Sequence, residues 1–260
     1  MKIQFESTTT CSARCTFCPR YDMTRPMGEM SDKLFHKIIE ESKFFRKPEI
    51  VPFLNGEPFC FPRIWEWLDY MKEKNCRVYL YTNGEQMDVD RLVEYRNIRY
   101  VCCSINATTK KTYKAIMRGP DFDVVEEKVK YLIKKAPFPV YVSMVEVEKN
   151  QHEIEDFKKK WGEHVTHGEF KNWGGARHDK LERTGERVPC LAFLRTITIL
   201  WDGRVVPCCM DFDAKVVLGD ANTQTLSEIK SSVLRGKFAD KIYKLDFSNN
   251  LCKECNHNII

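Results

Sequence analysis

Three cysteines stand close together near the start of the chain, in Cys11-Ser-Ala-Arg-Cys15-Thr-Phe-Cys18, a C-x3-C-x2-C array. In a chain of 12 cysteines without a secretion signal, this spacing points to metal rather than to disulfides. A structural zinc site closes with four ligands, often as C-x2-C pairs, and no fourth cysteine lies nearby. Three thiolates on one short loop suit a [4Fe-4S] cluster with one iron left open to an outside ligand. A second group lies at the other end of the chain: Cys190, then Gly203 and Cys208, then Cys252-Lys-Glu-Cys255. Four thiolates would close that site, and zinc satisfies their spacing too.

The N-terminal array resembles the signature of the radical S-adenosylmethionine (SAM) superfamily, including the aromatic Phe17 before the third cysteine. The resemblance implies that Cys11, Cys15 and Cys18 hold a cluster whose open iron chelates SAM. Reductive cleavage of SAM would then give a 5′-deoxyadenosyl radical that takes hydrogen from a substrate C–H bond. Cofactors supply this chemistry, and the protein orients them and excludes solvent. Later motifs carry the resemblance further. Asn55-Gly56-Glu57-Pro58 is similar to the family's Gly-Gly-Glu-Pro turn at the SAM amino group, with Asn in the first place. Tyr81-Thr82-Asn83-Gly84 is similar to a Thr-Asn-Gly near the SAM ribose, and Ser104-Ile105-Asn106 to a Ser-Leu/Ile-Asp pattern near SAM. Arg118 and Ser143 lie in family-like segments that imply contacts to the SAM carboxylate or ribose. Taken singly, Asn83-Gly84 is a turn signal and Arg118 a helix end before Gly119. Their order behind the cysteine loop is what raises them above that.

These residues need elements to position them. Ile3, Phe5 and Ser7 alternate with Gln4 and Glu6, and Leu34, Phe35, Ile38 and Ile39 recur at helical spacing, which makes a βα unit around the cysteine loop. Further strands are expected over 49–54, 77–82, 98–105, 140–147 and 165–172. Helices are expected over 62–74, 89–95, 110–117, 124–135 and 154–161. Six such repeats predict an α/β fold, a partial (β/α)6 TIM-like barrel over residues 1–186 with a parallel sheet. Functional residues of such barrels gather where strands end, and the motifs fall there.

Residues 187–260 are expected to form a small cluster-binding domain of a β-hairpin plus helix. Asp202-Gly203 between two apolar runs is a hairpin signal that brings Cys190 and Cys208 together. The order of Cys190, Gly203, Cys208 and the final C-x2-C resembles the twitch domain, the shortened form of SPASM. That implies one auxiliary [4Fe-4S] cluster held by Cys190, Cys208, Cys252 and Cys255, with Cys209 a surplus ligand or buried thiol. Cys60, Cys76, Cys102 and Cys103 lack ligand spacing and read as small buried hydrophobes. Met23, Met27 and Met30 read as packing. Trp173-Gly174-Gly175 and the polar stretch His178 to Arg187 link the barrel to the C-terminal domain and read either as a cover over the barrel mouth or, more plainly, as a solvated linker.

Composition bounds the rest. Of the residues, 43% are hydrophobic and 30% charged, and the mean hydropathy of −0.46 is that of a soluble globular protein. No apolar run is long enough for a membrane helix and the N-terminus lacks a signal-like segment, so a cytoplasmic location is expected. A net charge of +5 with both signs interspersed predicts no nucleic-acid surface. The leading expectation is a two-cluster radical SAM oxidoreductase that dehydrogenates a small polar molecule, similar to the short 2-deoxy-scyllo-inosamine dehydrogenases. Asp211, or Asp213 beside it, would be the base, and family analogy supplies a flavodoxin or ferredoxin as electron donor. One rival is a SPASM-type peptide maturase, disfavoured by the lack of a recognisable leader-binding domain at the N-terminus. The other is a non-catalytic zinc or iron-sulfur interaction module.

Overall fold

The computed structural model of the chain describes residues 1–180 and 185–259. Residues 181–184 of the expected linker therefore lie outside the described residues. The strands in chain order are β1 (Lys2–Phe5), β2 (Glu49–Val51), β3 (Arg77–Thr82), β4 (Ile98–Ser104), β5 (Val140–Val145), β6 (Val165–Gly168), β7 (Thr196–Ile199), β8 (Arg204–Val206) and β9 (Gly219–Asp220). The helices are α1 (Asp32–Ser42), α2 (Ile64–Glu73), α3 (Val89–Leu92), α4 (Lys110–Ile116), α5 (Phe122–Lys135), α6 (Ile154–Trp161), α7 (Leu191–Arg195), α8 (Leu226–Ser231) and α9 (Val233–Tyr243).

All nine strands form one sheet in the order β6-β5-β4-β3-β2-β1-β7-β8-β9. From β6 to β1 every pairing is parallel, the βα succession that the sequence predicts. The C-terminal hairpin does not form a separate sheet: β7 pairs in parallel with β1, Ile3 opposite Ile197, and β8 alone runs against the other strands, antiparallel to both β7 and β9. The first strand is thus covered on both edges, and the cysteine loop that follows it emerges from the middle of the sheet.

Helices cover one face. Side chains of β1 alternate, so Ile3 and Phe5 point into the core while Lys2 and Gln4 face the other side. Ser31 caps α1 by accepting from Leu34 N, and the helix buries Leu34, Phe35, Ile38 and Ile39. The Phe35 ring stacks on Trp67 of α2 at 3.9 Å. The uncovered face is aromatic and polar. Tyr79 and Tyr81 of β3 meet Tyr100 of β4, which meets Tyr141 of β5, with ring centroids 5.0 to 5.7 Å apart.

β2 stops at Val51, short of the expected 54, because Pro52 has no N–H for the ladder. α5 starts two residues early because Asp121 caps it, accepting from Asp123 N and Val124 N. Among the described residues no helix is long and apolar enough to cross a membrane.

Candidate active site and its cofactor pocket

The loop after β1 is held from both sides. Glu57 N donates to Thr10 O at 2.8 Å, and a Cβ on Gly56 would stand 2.0 Å from Thr8 O, so only glycine admits this approach. On the other side Arg14 N donates to Met117 O and Thr16 N to Ile116 O, both at 2.9 Å. Gly119, at φ +149, lets the chain pass where a Cβ would lie 2.2 Å from Ser12 O. Arg20, buried behind the loop, donates to Thr9 O.

Held in this way, Cys11, Cys15 and Cys18 line one cavity of about 170 Å³ together with Phe17. Asn55, Gly56 and Glu57 after β2 reach the same cavity, as do Thr82 and Asn83 at the end of β3 and Ser104 at the end of β4. Asn106, from the motif expected near SAM, and Trp173, from the expected linker, also line it, as does Met117, which sequence reasoning did not place in the site. Glu57 is fully buried: its Oε1 accepts from Thr82 Oγ1 at 2.6 Å and its Oε2 from Asn83 N at 2.7 Å. Burial pushes this carboxyl up to about 7 against those bonds. Burial also pushes the Cys11 thiol up to about 12 and raises Cys15 well above its ordinary value. Asn83 Nδ2 donates to Ser12 Oγ at 3.1 Å, and the Cys15 and Met117 sulfurs lie 3.5 Å apart.

Other expected residues lie elsewhere. Ser143 Oγ stands behind Ser104, 3.3 Å from its Oγ. Arg118, exposed, lines an outer pocket beside Cys15 and Cys18 rather than the cavity. The structure does not bring Asp211 to the cavity, because its buried carboxylate accepts from Lys215 N at 2.7 Å and Val216 N at 3.0 Å. Asp213 binds the segment after the cysteine loop, accepting from Thr24 and Arg25 N. Cys76, Cys102 and Cys103 are buried as expected, Cys60 at the end of its short turn is only half-buried, and of the three early methionines only Met30 is buried in the core.

The C-terminal thiols converge separately. Cys208 and Cys255 share an apolar cluster with Met210 and Leu251, and Cys252 packs against both this cluster and the one holding Cys190. Burial raises Cys208, and its neighbours Cys209, Cys190 and Cys255 raise it further, so these thiols lie within electrostatic reach of one another. Asn249 Oδ1 orders the final turn by accepting from Leu251 N and Cys252 N. Among the described residues no three His, Cys, Asp or Glu side chains are close enough to chelate a single ion. Four irons need their thiolates further apart than one ion, whose sulfur ligands stand at about 2.3 Å.

The model of the radical SAM superfamily matches residues 5–160, which contain the whole cavity-forming loop and its motifs. The chain belongs to the radical SAM superfamily. A second model, an iron-sulfur cluster-binding SPASM domain, matches residues 185–256, which contain Cys190, Cys208, Cys209, Cys252 and Cys255. Curated relatives of this radical SAM protein include a tungsten-containing aldehyde ferredoxin oxidoreductase cofactor-modifying protein of Pyrococcus furiosus, 26% identical over 139 residues, 51% of this chain and 38% of that one. The mycofactocin maturase MftC of Mycobacterium tuberculosis is 25% identical over 160 residues, 60% of this chain and 40% of its own. Each match thus spans about two fifths of the relative's length. Among solved structures, BtrN in complex with AdoMet and 2-DOIA superposes with a TM-score of 0.69 at 20% identity, over 98% of this chain and 92% of BtrN. Streptococcus suis SuiB bound to the precursor peptide SuiA gives 0.76 at 14% identity, over 98% of this chain and 69% of SuiB. These likenesses are of fold.

The cofactors of this radical SAM protein are SAM and a [4Fe-4S] cluster, with further iron-sulfur binding in its SPASM domain. The residues present fit them. Three thiols without a fourth border the cavity, and beside them Glu57 is a buried carboxylate that forms no ion pair among the described residues. Asn55 Oδ1, in the same wall, is buried without a hydrogen-bond partner among the described residues. An acceptor and an anion facing one pocket are complementary to an ammonium group.

Proposed function

We propose that this enzyme uses SAM to abstract a hydrogen atom from a substrate C–H bond and completes the oxidation of a small polar molecule with help from the C-terminal cluster. When bound, the N-terminal cluster and SAM supply a 5′-deoxyadenosyl radical. Cys11, Cys15 and Cys18 would hold that cluster, leaving one iron for SAM. Asn55 and Glu57 would receive the SAM ammonium, with Gly56 giving the backbone its close approach. Thr82 and Asn83 orient Glu57 and border the nucleoside side of the pocket, Ser104 does the same from β4 with Ser143 behind it, and Phe17 shields the cluster. Residues 1–186 would form the barrel unit and 187–260 the auxiliary unit.

The observation that carries the reading is the convergence of three thiols, with no fourth among the described residues, on a cavity lined also by a buried carboxylate and by Asn55, whose Oδ1 has no partner among those residues. The oxidative direction is supported by the other cysteine group. Cys190, Cys208, Cys252 and Cys255 would hold a second cluster with four protein ligands, whose chemistry would be the exchange of an electron. Asp211 is bonded within its own loop and does not line the cavity, so it is not proposed as the base, and the proton released on oxidation would pass to solvent. A small acidic electron carrier, a flavodoxin or ferredoxin, would reduce the first cluster. A peptide substrate is the second reading, supported by the maturase relative MftC and by the fold of peptide-bound SuiB.

Anaerobic reconstitution should give a brown protein with about eight irons per chain. With dithionite and SAM it should release 5′-deoxyadenosine, and Cys15→Ala should abolish that release. Deuterium transfer from candidate polyols, aminocyclitols and peptides into 5′-deoxyadenosine then identifies the substrate class. A colourless protein that binds zinc alone would overturn the reading.

A further inference from the structure

Residues 172–177 join two cysteine loops that lie far apart in the chain. On one side Trp173 Nε1 donates to Phe17 O and Arg177 Nη2 to Cys18 O, each at 3.0 Å. On the other, Asn172 N donates to Asn256 Oδ1 at 2.9 Å while Asn256 N donates to Asn172 Oδ1 at 3.2 Å. The Trp173 side chain meets both sites. It lines the cavity with Cys11, Cys15 and Cys18, and it packs against the apolar cluster of Cys208, Met210, Leu251 and Cys255. Among the described cavity residues it alone does so.

The backbone agrees with a docked segment rather than a solvated one. Trp173 is left-handed at φ 52, followed by Gly174 at φ 64 and Gly175 at φ 86. A tryptophan adopts this region only where its surroundings hold it there. A Cβ on Gly174 would lie 2.9 Å from Leu251 O, so the strap presses directly on the final cysteine turn.

We propose that Trp173 is a positioning residue that couples the two cysteine sites, its N–H fixing the N-terminal loop and its ring fixing the C-terminal thiols. A disturbance at one site is passed to the other through this side chain. The inference rests on both cysteine groups being cluster ligands, but the coupling is a property of the polypeptide and is present before iron is bound. The two halves of the side chain are separable, because phenylalanine keeps a ring and lacks the N–H.

The test is hydrogen exchange in segments 11–18 and 249–257, measured by mass spectrometry on the full chain with and without reconstituted iron, and with iron counted. Trp173→Phe should speed exchange of 11–18 about five-fold, the effect of losing one neutral hydrogen bond, and leave 249–257 unchanged. Trp173→Ala should speed both. Replacing Cys252 and Cys255 by serine should loosen 11–18 in the parent but not further in Trp173→Ala, a non-additive cycle. Additive effects, or 11–18 protected alike in parent and Trp173→Phe, would overturn the coupling. Should Trp173→Ala fail to fold, the same cycle built on Trp173→Phe decides it. A parent that takes up no iron sinks the cluster reading instead, and exchange in the iron-free chain still decides the coupling.

Discussion

Asn55 Nδ2 donates to Glu6 Oε1 at 3.0 Å, and Arg25 Nη2 approaches the same oxygen at 2.6 Å. This fully buried triad explains why Asn stands where the family's turn has glycine. The side chain turns back to hold the end of β1 against the end of β2, and its Oδ1 is buried with no hydrogen-bond partner among the described residues. Glu6 also accepts from Trp201 N at 3.3 Å, so one carboxylate joins the first two strand ends to the C-terminal hairpin.

Removing the cation of a buried pair leaves an uncompensated charge, which costs about 3 kcal/mol or more. Arg25→Met should therefore lower unfolding stability in urea by about 3 kcal/mol. A midpoint equal to the parent's would show that Glu6 is satisfied by Asn55 and Trp201 alone.

Glu57→Gln should have opposite effects on stability and on cofactor binding. The folded protein holds the Glu57 proton more tightly than an ordinary carboxyl, at about 7 against 4.5, so its stabilising contribution is full below that ordinary value and lost as pH rises to 7. The variant should be more stable than the SAM-free parent by about 1–3 kcal/mol at pH 8 and nearly equal to it at pH 5. SAM titrations at pH 8 should show binding weakened about ten-fold, the loss expected for one charge-assisted hydrogen bond. A stability difference that grows toward low pH would contradict this assignment.

Gly56→Ala and Gly119→Ala place a methyl 2.0 Å from Thr8 O and 2.2 Å from Ser12 O, so each must push the cysteine loop away. Overpacking of this kind costs about 1–3 kcal/mol. Both variants should lose about half of the iron, that of the N-terminal cluster, while EPR shows the C-terminal cluster retained. Full iron content in either would mean that the loop has slack.

Asp213→Ala should loosen the attachment of the hairpin loop to Thr24 and Arg25 by about 1 kcal/mol at neutral pH. Burial raises the Asp213 carboxyl, but the bonds from Thr24 and Arg25 outweigh it and hold the group below the usual range. That contribution is present above the ordinary value of 3.8 and is lost as pH falls through the lowered one. Denaturation curves of parent and variant should therefore converge as pH falls through that lowered value and stay separated at neutral pH.

Much of the barrel was legible because its signals are local. Apolar spacing over Leu34 to Ile39 specifies a helix whichever partner it meets, and the alternation of β1 specifies which face it buries. The cysteine loop and the strand-end turns were legible for the same reason. The hairpin's place was not, since Asp202-Gly203 specifies a reversal and says nothing of the edge that β7 joins. Asp211 shows the reverse limit. Its neighbourhood to Cys208 in the chain suggested a catalytic base, yet its carboxylate caps the loop at Lys215 and Val216.

By itself the sequence determined which thiols share a loop, where the turns fall after each strand and which faces are apolar, because covalent spacing limits each of these within a few residues. Only the tertiary structure decided that Met117 walls the cavity, that Glu6 anchors Asn55, and that Trp173 meets Phe17 across 156 positions of chain. Such contacts depend on how helices and strands pack, and residues that meet only then leave no periodic trace in the sequence.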